Sequence, residues 1–403
     1  MTLSGHSQTC GIVGAGPAGL MLGLLLARAG VQTTVVEKHG DFLRDFRGDT
    51  IHPSTMEAIG ELGFLDEFLA LPHRKAPKLH AEINGESVTI ADFSRLPARC
   101  PYIAFMPQWD FLAFLARKAG ELPSFQLLMG HETVGLVRRD GAVAGIEVRE
   151  GGGAVRELAA DLVVGADGRS STVRRLAGLE VQDFGAAVDV LWMKLSRHPD
   201  DKAQGMSHGG PRQGIVLIDR GDYWQCGYVI RKGSYDDVRD EGLAALREKL
   251  AAIAPLPEDR FEELRDWEQV HLLSIKVDRL KQWWRPGVLC IGDAAHAMSP
   301  IGGVGVNLAI QDAIAASNIL AAPLLERRMT PQHLQQVQKR REFPTKATQK
   351  LQIMMGRRRP RTANAEAESG PPAFLRAIAR LPLLSRLAGR IIGMGLRPEH
   401  IES

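Results

Sequence analysis

The stretch that decides the fold is GDAAHAMSPIGGVGVN, residues 292–307. It follows the short apolar run GVLCIG and precedes LAIQDAIAASNILAAPLLE, in which apolar residues recur at helical spacing. The predicted order is therefore strand, acidic turn, glycine loop and helix. Asp293 can accept hydrogen bonds from hydroxyl groups, and the glycines leave backbone N–H groups open beside the positive end of the following helix. This pattern favours a ligand with hydroxyl groups and electron-rich oxygens, although an ordinary glycine-rich helix start has the same appearance.

A second glycine motif lies near the N-terminus. A short strand over Thr9–Val13 leads into GAGPAG at 14–19, a helix through Ala29, and a strand that ends at Glu37. This is the dinucleotide-binding fingerprint, in which glycines allow a tight turn and close approach of a pyrophosphate, and the acidic residue binds ribose hydroxyls. Glu37 favours a free 2′-hydroxyl, and therefore the adenosine part of FAD or NAD.

A third motif, GADGRSSTVR at 165–174, again places an acidic residue between an apolar run and the start of a helix. Asp167 is a good candidate for capping that helix. The alternative is that Asp167 and Arg174 lie beside a cofactor. The sequence leaves both interpretations open.

Alternating apolar and polar residues predict β-structure between these motifs. Residues 78–93 form a hairpin around Asn84-Gly85, residues 133–164 a three-stranded meander, and residues 187–232 a broad antiparallel sheet. Further along, the pattern predicts a helix over 237–253 and a strand over 268–280. The broad sheet lacks a phosphate-binding turn, so we interpret it as the part of the chain that covers a substrate.

Composition narrows the class of protein. The chain has 403 residues, 44% of them hydrophobic, and a net charge of +3, which gives no general electrostatic case for nucleic-acid binding. The four cysteines are widely spaced without a metal-binding pattern, and the N-terminal residues lack the features of a secretory signal. We therefore expect a cytoplasmic protein with reduced thiols and no metal site.

The C-terminal segment AFLRAIARLPLLSRLAGRIIGMGL is basic and amphipathic. Arg376 and Arg380, and then Arg386 and Arg390, have four-residue spacing on either side of Pro382, which predicts two short helices. Such helices usually dock on their own protein. The alternative is peripheral contact with the anionic inner membrane surface.

The three motifs, in this order, resemble the single-component FAD-dependent aromatic hydroxylases, of which para-hydroxybenzoate hydroxylase is the familiar member. The resemblance covers residues 9–325. It implies an α/β fold: a Rossmann-like FAD-binding domain of the GR2 type, interleaved with an α+β substrate domain on a mostly antiparallel sheet, followed by C-terminal helices. The predicted divisions are 1–73, 101–178 and 276–330 for the FAD-binding domain, 74–100 and 179–275 for the substrate domain, and 331–403 for the C-terminal helical region.

The same resemblance implies an activity. NADPH or NADH would reduce FAD, O2 would give a flavin C4a-hydroperoxide, and its distal oxygen would pass to an aromatic small molecule, while the protein orients and shields the cofactor. Two alternatives remain open: a flavin oxidoreductase acting on a quinone-like or isoprenoid lipid at the membrane, and a non-catalytic flavoprotein that shelters an unstable intermediate. The sequence does not decide between a monomer and a homodimer.

The resemblance also assigns candidate site residues. Pro300 would lie along the flavin, and His296 would be an orienting residue; the alternative for His296 is a structural histidine at the start of a helix. Alternation and turn position, rather than the resemblance, make Arg220 and Tyr223, with Gln225, candidate pocket residues at a turn of the broad sheet, where an Arg or Tyr would favour a phenolate. The predicted cofactor-binding residues are Gly14, Gly16, Ala18, Gly19, Glu37, Lys38, Arg47, Gln108, Asp167, Arg174, Gly292, Asp293, Pro300, Gly303, Val304, Gly305 and Asn307.

Overall fold

The computed structural model describes residues 8–43, 50–83, 86–201, 207–209, 214–357 and 381–402. Its helices are α1 Pro17–Arg28, α2 Pro53–Glu61, α3 Leu65–Leu69, α4 Gln108–Gly120, α5 Thr172–Leu176, α6 Tyr235–Asp240, α7 Leu243–Ala251, α8 Gly305–Leu325, α9 Pro331–Arg357 and α10 Pro382–Met394. The strands in the first half are β1 Thr9–Val13, β2 Gln32–Val36, β3 Thr50–Ile51, β4 Arg74–Ala76, β5 Lys78–Ile83, β6 Glu86–Asp92, β7 Ile103–Phe105, β8 Phe125–Leu128, β9 His131–Arg139, β10 Ala142–Glu150, β11 Val155–Ala159 and β12 Leu162–Gly165. Those in the second half are β13 Val181–Asp183, β14 Val188–Ser196, β15 Ser207–Gly209, β16 Gly214–Asp219, β17 Tyr223–Arg231, β18 His271–Leu273, β19 Asp278–Leu280, β20 Trp284–Arg285 and β21 Val288–Cys290.

A six-stranded sheet carries the glycine motifs. Its order is β20-β21-β12-β1-β2-β8, and every pair is parallel except β20 with β21. The central strands are short apolar runs because helices cover both faces of a parallel sheet. Helix α1 is buried from Ala18 through Ala27, and α8 is buried along most of its length. The predicted α/β fold is confirmed, including the strand–turn–helix–strand unit that ends beside Glu37.

A second sheet of seven strands has the order β18-β14-β17-β16-β15-β5-β6. All of its pairs are antiparallel except β5 with β15. One face packs on α7 through a separate hydrophobic cluster that includes Leu191, Leu217 and Cys226. The mostly antiparallel sheet expected from the alternating pattern is therefore present. The division of the chain into domains stays a prediction.

Three details of secondary structure differ from the expectation. The last run of the expected meander divides into β11, which is antiparallel to β10, and β12, which joins the parallel sheet beside β1. The expected helix over 237–253 is two helices, because Gly242 has φ +90° between α6 and α7. The expected strand over 268–280 is β18 and β19, and these pair in different sheets.

The C-terminal helix α10 docks on its own protein, against β6 and α2. Two glycines make this possible: a Cβ at Gly389 would overlap the backbone of Asp92, and a Cβ at Gly393 would lie 3.1 Å from Phe93. Pro382 occupies the first turn of α10, where a proline is tolerated. The other predicted tail helix, which carries Arg376 and Arg380, lies outside the described residues.

Within the part of the chain that the structure describes, one helical stretch, Ile301–Leu325, is long and apolar enough to cross a membrane. Of the most apolar 18-residue segment in this stretch, 78% is buried in the protein, as expected of a core helix. All four cysteines are buried and free, in agreement with the expected reduced thiols.

Candidate active site

The three sequence motifs meet at the carboxyl ends of β1, β12 and β21. Gly14 has φ +102°. A Cβ at Gly14 would lie 2.5 Å from the carbonyl oxygen of Ala166, which belongs to the GADGRSSTVR motif. Gly292 has φ +57°, and a Cβ there would lie 3.2 Å from Ala18. Glycine is required at both positions because the backbone conformation and the close packing of the loops exclude a side chain.

Gly16 differs from its neighbours in the same turn. It is the N-cap of α1, and a Cβ there would meet no atom within 4 Å. Open space therefore lies beside the positive N-terminal end of α1, where backbone N–H groups suit a phosphate. This combination of tight packing at Gly14 and open space at Gly16 fits the pyrophosphate of FAD.

Glu37 follows the end of β2 and is buried, with 4% of its surface exposed. Its Oε2 accepts the Ala15 N–H at 2.9 Å, and its Oε1 accepts the His39 N–H at 3.0 Å. The carboxylate is thus fixed against the first glycine turn, on the side where the fingerprint places a ribose. The adjacent Lys38 is exposed.

Asp167 and Arg174 hold their own loop together. The Asp167 carboxylate accepts the Ser171 hydroxyl at 2.5 Å and the Val173 N–H at 3.1 Å, and burial raises its pKa. Arg174 is buried, pairs with Asp278 at 3.3 Å and donates to the Arg169 carbonyl at 2.6 Å. The N-cap of α5 is Ser171, whose hydroxyl accepts the Arg174 N–H at 3.0 Å, so Asp167 assists the cap and does not form it. The cofactor contacts of both residues stay predictions.

Asp293 lies on the turn after β21 with 33% of its side chain exposed. Arg169 Nη2 is 3.5 Å from its Oδ2 and joins the GADGRSSTVR motif to the GDAAHAMSPIGGVGVN stretch. Arg169 was not among the predicted site residues, although its place inside GADGRSSTVR was a usable signal. An accessible carboxylate beside an arginine matches the position predicted for the ribityl and pyrophosphate region of FAD.

His296 lies behind this turn rather than on its surface, since only 1% of it is exposed. Its Nε2 is 2.6 Å from Asp312 Oδ2, and the same oxygen accepts the Gly292 N–H at 3.0 Å. The Trp283 ring centroid is 4.9 Å from the imidazole. This geometry fits a structural histidine: His296 and Asp312 hold the backbone of the acidic turn from behind. A catalytic or orienting role for His296 stays a prediction.

Asp312 belongs to a buried ionic network that the sequence analysis missed. Arg341 Nε donates to Asp312 Oδ1 at 2.9 Å, and Arg341 Nη1 donates to Glu399 Oε1 at 3.1 Å. Burial acts to raise the pKa of Asp312, but His296 and Arg341 outweigh it and the pKa is lowered. The signal in the sequence was an aspartate inside the apolar helix α8. Through Glu399, the network ties the C-terminal segment to the back of the site.

The glycine loop before α8 is fixed by α2 and its preceding strand. Gly303 has φ +64°, and its carbonyl accepts the Thr50 hydroxyl at 3.1 Å. Asn307 is 1% exposed, and its Oδ1 accepts the hydroxyls of Ser54 at 2.5 Å and Thr55 at 3.0 Å. Pro300, at the start of the loop, is exposed. Open space surrounds Gly305, where a Cβ would meet no atom within 4 Å, whereas Val304 packs in a small apolar cluster.

The remaining predicted residues lie elsewhere. Gln108 is the first residue of α4, and Arg47 falls outside the described residues. Arg220 and Tyr223 flank the turn between β16 and β17 in the seven-stranded sheet. Arg220 donates from Nε and Nη2 to Gln225 Oε1 at 2.9 and 2.7 Å, and Lys194 Nζ lies 4.1 Å from the centre of the Tyr223 ring.

A separate cleft of about 520 Å³ lies at the other end of the six-stranded sheet. Its lining includes Thr9, Gln32 and Phe125, which are the first residues of β1, β2 and β8. Ligands of open α/β sheets bind at the carboxyl ends of the strands. The glycine loops, not this cleft, therefore form the candidate site.

The family model described as FAD binding domain matches residues 6–351. The chain belongs to the single-component FAD-dependent aromatic hydroxylase family. It is 33% identical over 390 residues to the 6-methylpretetramide 4-monooxygenase of Streptomyces rimosus, covering 96% of this chain and 92% of that enzyme. It is 27% identical to the para-nitrophenol 4-monooxygenase of Pseudomonas sp. strain WBC-3, covering 75% of each.

Solved structures share the fold of this family member. The Diels-Alderase PyrE3 matches with a TM-score of 0.78 at 23% identity, over 96% of this chain and 80% of that one. The p-nitrophenol 4-monooxygenase PnpA of Pseudomonas putida DLL-E4 matches with a TM-score of 0.74 at 21% identity, over 96% and 95%. At these identities the likeness concerns the fold alone.

Proposed function

We propose that this FAD-dependent monooxygenase hydroxylates a phenolic aromatic compound with electrons from NADPH or NADH. One observation carries the proposal: an apolar surface connects the glycine loop before α8 with the seven-stranded sheet. Ile392 of α10 packs against Met298, Val304 and Leu308 near the loop, and it also belongs to the cluster that contains Ile218 of β16.

The glycine loops supply the proposed FAD site. Gly16 and the end of α1 would hold the pyrophosphate, Glu37 the adenosine ribose, and Asp293 the ribityl region. Bound FAD supplies the redox chemistry by which an atom of O2 enters an aromatic ring. His296 and Asp312 position the backbone of the acidic turn from behind.

The apolar surface would bind the aromatic ring and keep water away from it. Phe105 of β7 and Trp192 of β14 belong to the same cluster as Ile218 and Ile392. Apolar side chains suit an aromatic ligand. Excluding water from the site strengthens the electrostatic interactions inside the site. This wall comes from three parts of the chain, so the substrate would lie between the loop and the sheet.

Arg220 and Tyr223 are the proposed residues that favour a phenolate. A positive charge near a phenol lowers its pKa, and the phenolate is the more nucleophilic form. Arg220 is oriented for this by its two hydrogen bonds to Gln225.

The test is an absorbance spectrum of the purified protein, followed by NADH and NADPH oxidation with a panel of phenols, hydroxybenzoates and hydroxylated fused-ring aromatics under ¹⁸O2. The expected result is flavin bands, oxidation stimulated by particular compounds, and one ¹⁸O atom in the product. Flavin bands with unlabelled product would refute oxygenation. Flavin bands without stimulation by any compound would favour the non-catalytic, sheltering alternative.

The lipid alternative has one supporting observation. Helix α10 exposes Leu383 at 76% and Leu387 at 53%, with Leu381 also 53% exposed just before it. Arg386 and Arg390 lie on the same short helix, and exposed leucines beside arginines suit an anionic lipid surface. Flotation with phosphatidylglycerol vesicles tests this. Equal flotation of the wild type and a Leu383→Ser/Leu387→Ser variant would exclude a role for these leucines.

A further inference from the structure

One face of the seven-stranded sheet carries two buried N–H donors for which the described part of the chain offers no acceptor. Trp192 of β14 and Val216 of β16 both lie opposite Gly227 of β17, and Ile218 of β16 lies opposite Gln225. Residues directly opposite each other share a face, and alternate residues along a strand do so as well. Trp192 and Gln225 are therefore diagonal neighbours on one face.

This face is the one that belongs to the proposed substrate wall. Trp192, Val216 and Ile218 pack in the cluster with Phe105 and Ile392. The opposite face packs on α7 through Leu191, Leu217 and other residues of the separate cluster. A polar group on the first face is consequently directed between the sheet and the part of the protein that carries the glycine loop.

The Gln225 side chain has a fixed orientation. Gln225 is 1% exposed, and its Oε1 accepts both Arg220 hydrogen bonds, at 2.9 and 2.7 Å. Arginine has only donors, so the oxygen of the amide must face it. Gln225 Nε2 therefore points away from Arg220, and it is buried without a hydrogen-bond partner within the part of the chain that the structure describes.

The Trp192 side chain is fixed by packing. A Cβ at Gly227 would lie 2.8 Å from the Trp192 ring, so the ring occupies the space that a side chain on β17 would fill. Trp192 Nε1 is buried and has no acceptor among the described residues. On the other face, Trp224 donates from Nε1 to Asp201 at 2.9 Å. A buried indole N–H usually has a hydrogen-bond acceptor. The N–H of Trp192, on the substrate face, has none among the described residues.

We infer that Gln225 Nε2 and Trp192 Nε1 each donate to an acceptor oxygen of the aromatic substrate: a phenolate, carbonyl or carboxylate. Burial without an acceptor is costly for both donors, and such a ligand oxygen would satisfy them. The Arg220 charge on the far side of the Gln225 amide polarises its N–H bonds and favours an anionic acceptor. This inference rests on the proposed function for the position of the substrate, and it specifies the substrate class as an oxygen-bearing aromatic.

The test measures equilibrium binding, so its outcome does not depend on turnover. The FAD-loaded protein is titrated with 1-hydroxy-2-naphthoate, 1-naphthol and naphthalene, and binding is followed by flavin absorbance and calorimetry. Gln225→Glu keeps an oxygen for Arg220 to bind but removes the donor, and Trp192→Phe keeps an aromatic side chain but removes the N–H. Each variant is expected to weaken binding of 1-hydroxy-2-naphthoate about tenfold or more while naphthalene binding changes by less than about twofold.

Trp224→Phe is the matched control because its lost N–H already has an acceptor on the opposite face. It should lower the melting temperature and leave the ratio of naphthoate to naphthalene affinity unchanged. Trp192→Phe should weaken binding of 1-hydroxy-2-naphthoate more than binding of naphthalene, whatever its effect on the melting temperature. An unchanged ratio of the two affinities in Trp192→Phe, as expected for Trp224→Phe, would overturn the inference.

Two further results would also overturn it: wild-type protein that binds neither oxygenated naphthalene more tightly than naphthalene, and variants that lose all three ligands equally. The proposed function fails separately, in the ¹⁸O2 experiment.

Discussion

The carboxyl edge of the parallel sheet and the inner face of the antiparallel sheet differ in what makes them specific. At the edge, the shape of the backbone is decisive beside the carboxylates of Glu37 and Asp293: Gly14 and Gly292 are packed so tightly that no side chain fits, whereas Gly16 opens onto space. On the inner face, side chains determine what can bind, as Trp192 and Gln225 illustrate. The edge is therefore suited to one ligand shared by a family, and the face to ligands that differ between members.

Among the substitutions that test this contrast, Gly19→Ala should lower the free energy of unfolding most. A Cβ there would overlap the carbonyl oxygen of Gly14, and the backbone of Ala166 already occupies the space on the other side of Gly14. Because neither segment can move away, Gly19→Ala should cost more than about 4 kcal/mol, beyond the usual range for one substitution. Denaturant unfolding and soluble yield measure this.

Gly16→Ala is the control for that substitution. Its Cβ would meet no protein atom within 4 Å, so the protein should fold with near-normal stability. A Gly16→Ala protein that is folded but poor in FAD would mean that the open space is filled by the cofactor. Normal FAD content would contradict the position proposed for the pyrophosphate.

The next effect concerns the ionic network behind the edge. Arg341 is 1% exposed and pairs with the carboxylates of Asp312 and Glu399. Arg341→Met leaves both carboxylates buried without that partner, so the free energy of unfolding should fall by about 3–5 kcal/mol. Arg340→Met is the neighbouring control: this arginine is 39% exposed, and its pair with Glu399 should contribute less than about 1 kcal/mol. Equal losses in the two variants would refute the special role of the buried pair.

The two regions also differ in how far the sequence predicted them. The glycine turn, Glu37 and the following helices were predictable because each depends on the local backbone: Ala15 and Glu37 are 22 residues apart, within one strand–helix–strand unit. The contacts of Asp312 with Arg341 and of Arg341 with Glu399 span 29 and 58 residues. No local pattern specifies such partners; the only hint was a charge inside an apolar helix.

The inner face of the sheet was predictable only in part. Alternation placed Tyr223 and Gln225 on a common side of β17, but it could not say which side faces the glycine loop. That depends on the packing of α7 on one side and α10 on the other. The missing acceptors of Trp192 and Gln225 are also invisible to the sequence, since an unpaired group is recognised only when its surroundings are known.

The third prediction concerns pH and the contact of the two regions. His52 precedes α2 and is fully buried, with Nδ1 2.8 Å from the Ile392 carbonyl of α10. Burial lowers the pKa of His52 from 6.5 to about 4, against the opposing effect of its backbone hydrogen bonds. The unfolded chain therefore takes up a proton between pH 6.5 and 4 that the folded protein does not. The resulting stability is present above pH 6.5 and is lost as pH falls towards 4, by about 3 kcal/mol.

The test is to measure the free energy of unfolding from pH 7 to pH 4. In His52→Gln this free energy should depend less steeply on pH than in the wild type. His198→Gln, at an exposed position, is the control and should retain the wild-type slope. A His52→Gln protein with the wild-type slope would assign the pH dependence to other groups.

The smallest change in the free energy of unfolding is expected for the partly exposed ion pair of Arg169 and Asp293 at the carboxyl edge of the parallel sheet. Their side chains are 25% and 33% exposed and 3.5 Å apart, so solvent screens the pair and Arg169→Gln should change the free energy of unfolding by less than about 0.5 kcal/mol. FAD content distinguishes the two residues. Asp293→Asn should lower it because the carboxylate is the proposed acceptor for ribityl hydroxyls, whereas Arg169→Gln should lower it less. Equal loss of FAD in both variants would mean that the ion pair, rather than the Asp293 carboxylate alone, recognises the cofactor.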